Sequence, residues 1–145
     1  MAKKFSQLER DAWGGFLNAF SRIDRLIEQD LQTHSRISHI EFEVLLRLAL
    51  APDNRLRIQD LAAQSILTRS GTSRLVERLE KTGLVTREGA SEDRRGAYAI
   101  LTEAGLARFQ AAADAHTRFV RKIFLDRFTA DEQAQMAEFW KRLEE

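Results

Sequence analysis

The sequence predicts a mainly α-helical protein with one small β-hairpin, set between long terminal helices. Three observations predict it. Apolar residues recur at helical spacing over most of the 145-residue chain. Two short amphipathic segments joined by a tight turn follow one another within about 25 residues, the pattern of a helix-turn-helix. Finally, SEDRRGAYAILTEAG, residues 91–105, breaks the helical rhythm with turn formers followed by a short β-prone run.

The elements follow in order. From Phe5 to about Leu31, apolar residues fall at Trp13, Phe16, Leu17, Phe20, Ile23, Ile27 and Leu31, one stripe of a long helix that Gly14 and Gly15 weaken near its start. Ser38-His-Ile-Glu41 makes a capping box for a second helix, which is expected to bury Phe42, Leu45, Leu46 and Ala49 and to stop before Pro52. Arg55-Leu-Arg-Ile is a short extended entry to a helix with Ile58, Leu61, Ala62 and Ile66 inward. Thr68 then caps a helix whose inward face is Thr72, Leu75, Val76 and Leu79, closed by Gly83. Leu84 to Glu88 and Ala97 to Leu101 are strand candidates around a polar loop. Thr102 caps a long helix carrying Leu106, Phe109, Ala113, His116, Val120, Ile123 and Phe124, and a capping box from Thr129 to Glu132 opens a last one with Met136, Phe139, Trp140 and Leu143. The sum is a winged helix-turn-helix over residues 36–102, flanked by helices in 1–35 and 103–145.

Composition narrows function by exclusion. The net charge is only +1, from 23 basic and 22 acidic side chains, so any nucleic-acid binding must come from local arrangement. With no cysteine, thiol nucleophiles, thiolate metal sites and disulfides are excluded. There is neither a run of about 18 apolar residues to span a membrane nor an apolar core for a signal peptide, which places the protein in the cytoplasm. Phosphate-binding glycine loops, nucleophile elbows and metal-ligand motifs are absent, so no enzyme and no cofactor is expected.

Two stretches carry chemistry. In TRSGTSRLVERLEKTGLV, the helix that begins after Thr68 presents Arg69, Ser70, Ser73 and Arg74 outward and continues to Glu77, Arg78 and Lys81. Short polar side chains let a backbone approach a major groove closely, Arg pairs bidentately with guanine, and Ser or Thr reaches bases and phosphates. Thr68, Arg69, Ser70, Thr72, Ser73, Arg74 and Arg78 are therefore the expected major-groove set. A lone helix of this kind would be an ordinary solvated face, but a hairpin tip with Arg94 and Arg95 lies just downstream. There a guanidinium suits a narrow minor groove, with Asp93 orienting it by a charge-assisted hydrogen bond. The tip also argues against a winged helix used only to bind proteins, which would show an apolar patch instead of paired arginines.

The segment LAAQSILTRSGTSRLVERLEKTGLVTREGASEDRRGAYAILTEAG resembles the core of the MarR family of winged-helix transcriptional regulators, with that family's Asp-x-Arg wing at Asp93 and Arg95 and Leu101-Thr102-x-x-Gly105 after it. The likeness continues through FEVLLRLALAPDNRLRIQDL and, more loosely, into the terminal helices. It implies a homodimer held by interleaved terminal helices on a pseudo-palindromic double-stranded operator, in a family made mostly of repressors. It also implies relief of binding by a small-molecule effector, often an anionic aromatic.

The residues bear on both implications. Phe5, Leu8, Phe124, Phe128, Phe139 and Trp140 have no obvious room in a small central core, as expected of helices that bury their stripe against a second copy. Trp13, Phe16, Phe42 and Leu46 are the expected lining of an apolar effector pocket, although aromatics at helical spacing more often simply form core. A metal-responsive regulator of the same fold is the alternative raised by His34, His39 and His116, but their spacing lacks the paired geometry of a metal site. His39 is expected in a cap, His34 in a loop and His116 at a core edge.

Overall fold

The computed structural model describes residues 4–64, 69–89 and 96–144, and of Arg69 the backbone only. Its elements run α1 (Gln7–Ser35), α2 (His39–Leu50), β1 (Arg55–Arg57), α3 (Ile58–Gln64), α4 (Arg69–Lys81), β2 (Val85–Glu88), β3 (Tyr98–Leu101), α5 (Glu103–Ile123) and α6 (Ala130–Lys141). Short 3-10 turns at Pro52–Asn54 and Leu125–Arg127 complete it. This is the order read from the sequence, and Thr68 and the wing residues Asp93, Arg94 and Arg95 lie outside the described residues.

Local chemistry explains the helix ends. Both expected capping boxes are present: the Ser38 hydroxyl accepts from the Glu41 amide and the Glu41 carboxylate from the Ser38 amide, and Thr129 and Glu132 repeat the exchange. A third box, not read from the sequence, opens α1, where the Ser6 amide donates to Glu9 at 2.6 Å and the Glu9 amide to the Ser6 hydroxyl at 3.2 Å. These bonds hold the exposed Glu9 carboxyl below its usual value. α1 runs unbroken through Gly14 and Gly15 and carries His34 in its last turn, so that histidine is helical and not in a loop. At the far end of α4, Gly83 adopts φ +77°, and the amides of Gly83 and Leu84 donate back to Glu80 and Leu79, the bonding of a Schellman cap.

The chain divides into two compact units, one of residues 31–114 and the other built from the chain through Asp30 and from Ala115 onward. The division runs through α1 and α5 instead of at their ends.

The central unit is a winged helix-turn-helix. Its sheet has the order β1-β3-β2 with both pairings antiparallel, Arg57 opposite Tyr98 and Val85 opposite Leu101. Alternation puts Val85, Ala99 and Leu101 on the inner face, all buried. They join Leu45, Leu48, Leu61, Leu75, Val76 and Leu79, giving one core behind α4. On α2 the buried stripe is Phe42, Val44, Leu45 and Leu48, whereas Leu46 and Ala49, expected inside, are half-buried. The stripe is turned because α2 meets the sheet along one side while Phe42 packs on Phe109 of α5, ring centroids 5.6 Å apart.

The Leu101-Thr102-x-x-Gly105 motif has a structural reason. The Thr102 hydroxyl accepts from the Gly105 amide at 2.9 Å and donates to the Gly83 carbonyl at 2.7 Å, starting α5 and tying it to the end of α4. A Cβ on Gly105 would lie 2.0 Å from the Leu84 carbonyl oxygen, so only glycine lets the helix approach this closely.

In the terminal unit, Gln133 donates to the carbonyls of Leu125 and Phe128 and holds the turn before α6. Phe16 stands between Trp13, Phe20 and Trp140 at centroid distances of 6.1, 6.4 and 5.8 Å. Yet Trp13, Phe20 and Trp140 remain 55%, 60% and 44% exposed in the single chain. Helices this apolar leave a surface that water covers poorly.

Candidate nucleic-acid interface

The second helix of the helix-turn-helix, α4, shows one face to the core and one to solvent. Leu75, Val76 and Leu79 are buried as expected, and the outer face shows Ser70, Arg74, Glu77, Arg78 and Lys81, with Ser73 half-buried. Thr72 is buried with Leu75, Val76 and Leu79, as its place on the inward face predicts, and so does not belong in the expected groove-facing set. Its side chain is fully buried, because position 72 lies three residues before Leu75 and shares its inward direction.

Beside the outer face lies an open cleft of about 380 Å³ lined by Gly71, Arg74, Leu75, Glu77, Arg78 and Lys81, together with Ile40 at the start of α2. Three cations and one carboxylate line it. Positive groups at positions 74, 78 and 81 follow one edge of the helix over about two turns, a spacing that can track a phosphate backbone beside a groove.

The wing is built on β2 and β3. At its root a Cβ on Gly89 would lie 2.8 Å from the Ala97 Cα, so the two arms close tightly there. On the outer face of the sheet, Arg55 lies 4.3 Å above the centre of the Tyr98 ring and 3.7 Å from the Glu88 carboxylate. Arg57 donates to the Tyr98 hydroxyl at 3.1 Å. The sequence pattern predicts neither this cross-strand stack nor the contact of Arg87 with α4, where its guanidinium meets the Ser73 carbonyl and the Glu80 carboxylate. The alternation of Arg55 and Arg57 was a period-two signal for the first. Nothing local signalled the second.

The expected effector-pocket residues fall in different units. Trp13 and Phe16 belong to the aromatic group of the terminal unit, and Phe42 and Leu46 to α2 of the central one. Of the histidines, His39 sits in the first turn of α2 with its Nε2 3.8 Å from Glu43, and no group of three or more metal-ligating side chains occurs among the described residues. No described helix is long and apolar enough to cross a membrane.

A helix-turn-helix followed at once by an antiparallel hairpin defines the winged-helix class. Within it, the MarR family model matches residues 37–96. The chain is 32% identical to Sco3205, a MarR family transcriptional regulator from Streptomyces coelicolor solved in complex with DNA, with a TM-score of 0.92 over 98% of this chain and 89% of that one. AbsC, a MarR family regulator from the same organism, gives 29% identity and a TM-score of 0.91 over 98% and 95% of the two chains. The HTH-type transcriptional regulator PrsX of Escherichia coli is 32% identical over 97 residues, 67% of this chain but only 58% of the length of that curated relative. The chain belongs to the MarR family, a family of transcriptional regulators and not of enzymes.

Proposed function

We propose that this protein is a homodimeric, sequence-specific DNA-binding transcriptional repressor of the cytoplasm whose operator binding a small aromatic or phenolic ligand relieves. The observation that carries the reading is the outer face of α4, where Ser70, Arg74 and Arg78 stand in solvent on a buried Leu75-Val76-Leu79 base. Such a helix can enter a major groove with its base-reading side chains already placed. Arg94 and Arg95 on the wing then occupy the adjacent minor groove, with Asp93 orienting one guanidinium. The likeness to Sco3205, a protein solved in complex with DNA, supports DNA binding.

Selection of bound sequences from random duplex DNA tests this directly. The expected product is an inverted repeat with half-sites about one helical turn, roughly 34 Å, apart. No enriched motif would remove the reading. Arg74→Ala is expected to cost about 1–3 kcal/mol on the selected site and to relax one base position per half-site. An equal loss on every sequence would make Arg74 a phosphate contact instead.

Ligand relief rests on geometry. A ligand regulates a dimer on DNA only through its differential affinity for two spacings of the recognition helices. Trp13 and Phe16 are the residues proposed to sense it. With Trp140 replaced by Phe, Trp13 is the only indole, and an effector that releases the operator is expected to change its emission. Release without that change, and with unaltered affinity in Trp13→Phe, would put the ligand elsewhere.

A further inference from the structure

We propose that Arg87 is a positioning residue that locks the root of the wing, strands β2 and β3, to the recognition helix, so that hairpin and helix are presented to the duplex as one unit. The inference rests on the DNA-binding function proposed above and adds how its two halves act together.

Arg87 is on β2, on the same face as buried Val85 and opposite Ala99. Because Ala99 ends at its Cβ, the arginine stem has room to lie along the sheet toward α4. Its guanidinium grips that helix at two points. Nη2 donates to the Ser73 carbonyl at 3.1 Å, and Nε lies 3.0 Å from the Glu80 carboxylate. Ser73 and Glu80 are two helical turns apart on one face. A planar fork held at both ends of such a span opposes sliding as well as rotation of the hairpin against α4, which a lysine ammonium could not do.

The position of the grip matters as much as its strength. Arg87 is two residues before Gly89, where the arms of the wing close. Its charge is matched by Glu80, which makes it a tether and a poor phosphate anchor. A wing held this way binds as the second half of a preassembled pair. Its groove contact then benefits from a raised effective concentration once α4 is seated.

The test uses the full chain and needs two readouts. In the free protein, amide exchange over residues 85–88 and 98–101 is expected to rise about tenfold in Arg87→Ala and in Glu80→Gln, while α2 keeps its protection, as local opening requires. On the selected operator, the separate losses from Arg74→Ala and Arg95→Ala are expected to multiply to about ten times the loss of the double variant, a coupling that falls to about one when Arg87→Ala is added. Arg87→Lys is expected to behave like Arg87→Ala, with the salt dependence of binding unchanged. Unchanged exchange together with unchanged coupling overturns the proposal. So does recovery in Arg87→Lys combined with a salt slope in Arg87→Ala lower by about 1, since that is the signature of a direct phosphate contact. Failure of the wild type to select any DNA motif refutes the DNA-binding function itself, and the exchange measurement alone then decides the tether.

Discussion

The two units of this chain bury their apolar residues on different terms. In the central unit Leu45, Leu48, Val76 and Ala99 have no exposed surface, or almost none, within a single copy. In the terminal unit residues of the same character, Trp13, Phe20, Phe139 and Trp140, keep between 44% and 60% of theirs. The contrast is one of completeness. A core closed by local helix-turn-helix packing needs nothing more, while an amphipathic helix with a broad aromatic stripe leaves apolar surface in water, at a free-energy cost that covering it would remove.

The sharpest break of that contrast is Gly105→Val. A side chain forced against the Leu84 carbonyl must push α5 off the central core, and we expect a loss of about 3 kcal/mol or more in thermal unfolding. The same substitution at Gly14, where an added Cβ meets nothing, should cost far less.

Phe16→Ser combined with Trp140→Ser addresses the other unit. In the homodimer proposed above, association should weaken by about 3 kcal/mol or more, since two-fold symmetry repeats each lost contact. Sedimentation would measure it, with operator affinity becoming dependent on protein concentration while the exchange protection of α2 and α4 is kept. A double variant that remains a tight dimer would place the interface elsewhere.

Smaller effects sharpen the comparison at the helix ends. Ser38→Ala removes the hydroxyl that caps α2 in the central unit and should cost about 1 kcal/mol in denaturant unfolding. Glu9 gives the smallest effect. Its carboxyl is held below its ordinary value by Ser6, so its contribution is complete above that value and disappears as the pH falls through the lowered one. Fraying of the first turn of α1 on acidification, followed at the amides of Gln7 and Leu8, checks this sign, and Glu9→Gln should abolish the pH dependence.

What the sequence made legible was local. Ser38 with Glu41 and Thr129 with Glu132 are three residues apart, so their boxes can be read directly, as can Gly83 after a periodic run. The Ser6 box has the same signature, but Phe5 before it continues the apolar stripe and masks where the helix begins. Thr72 was readable as core from its period but not from its chemistry, since a threonine suits both a groove and a well-filled interior. Arg57 and Tyr98 are 41 residues apart, and Arg87 meets Ser73 across a turn whose angle depends on packing. No periodicity announces where such side chains meet.

The Arg55-Tyr98-Arg57 stack has an optical consequence. Tyr98 is the only tyrosine of the chain, and both tryptophans, Trp13 and Trp140, belong to the terminal unit. The two kinds of chromophore therefore divide between the two regions without any labelling. Near-ultraviolet signals from the phenol report on the sheet at the root of the wing, and indole emission reports on the aromatic surface of the terminal helices. A titration that follows indole emission beside the phenol's near-ultraviolet signal, the indole contribution subtracted with Tyr98→Phe, distinguishes an event at the sheet from one at the exposed aromatic face.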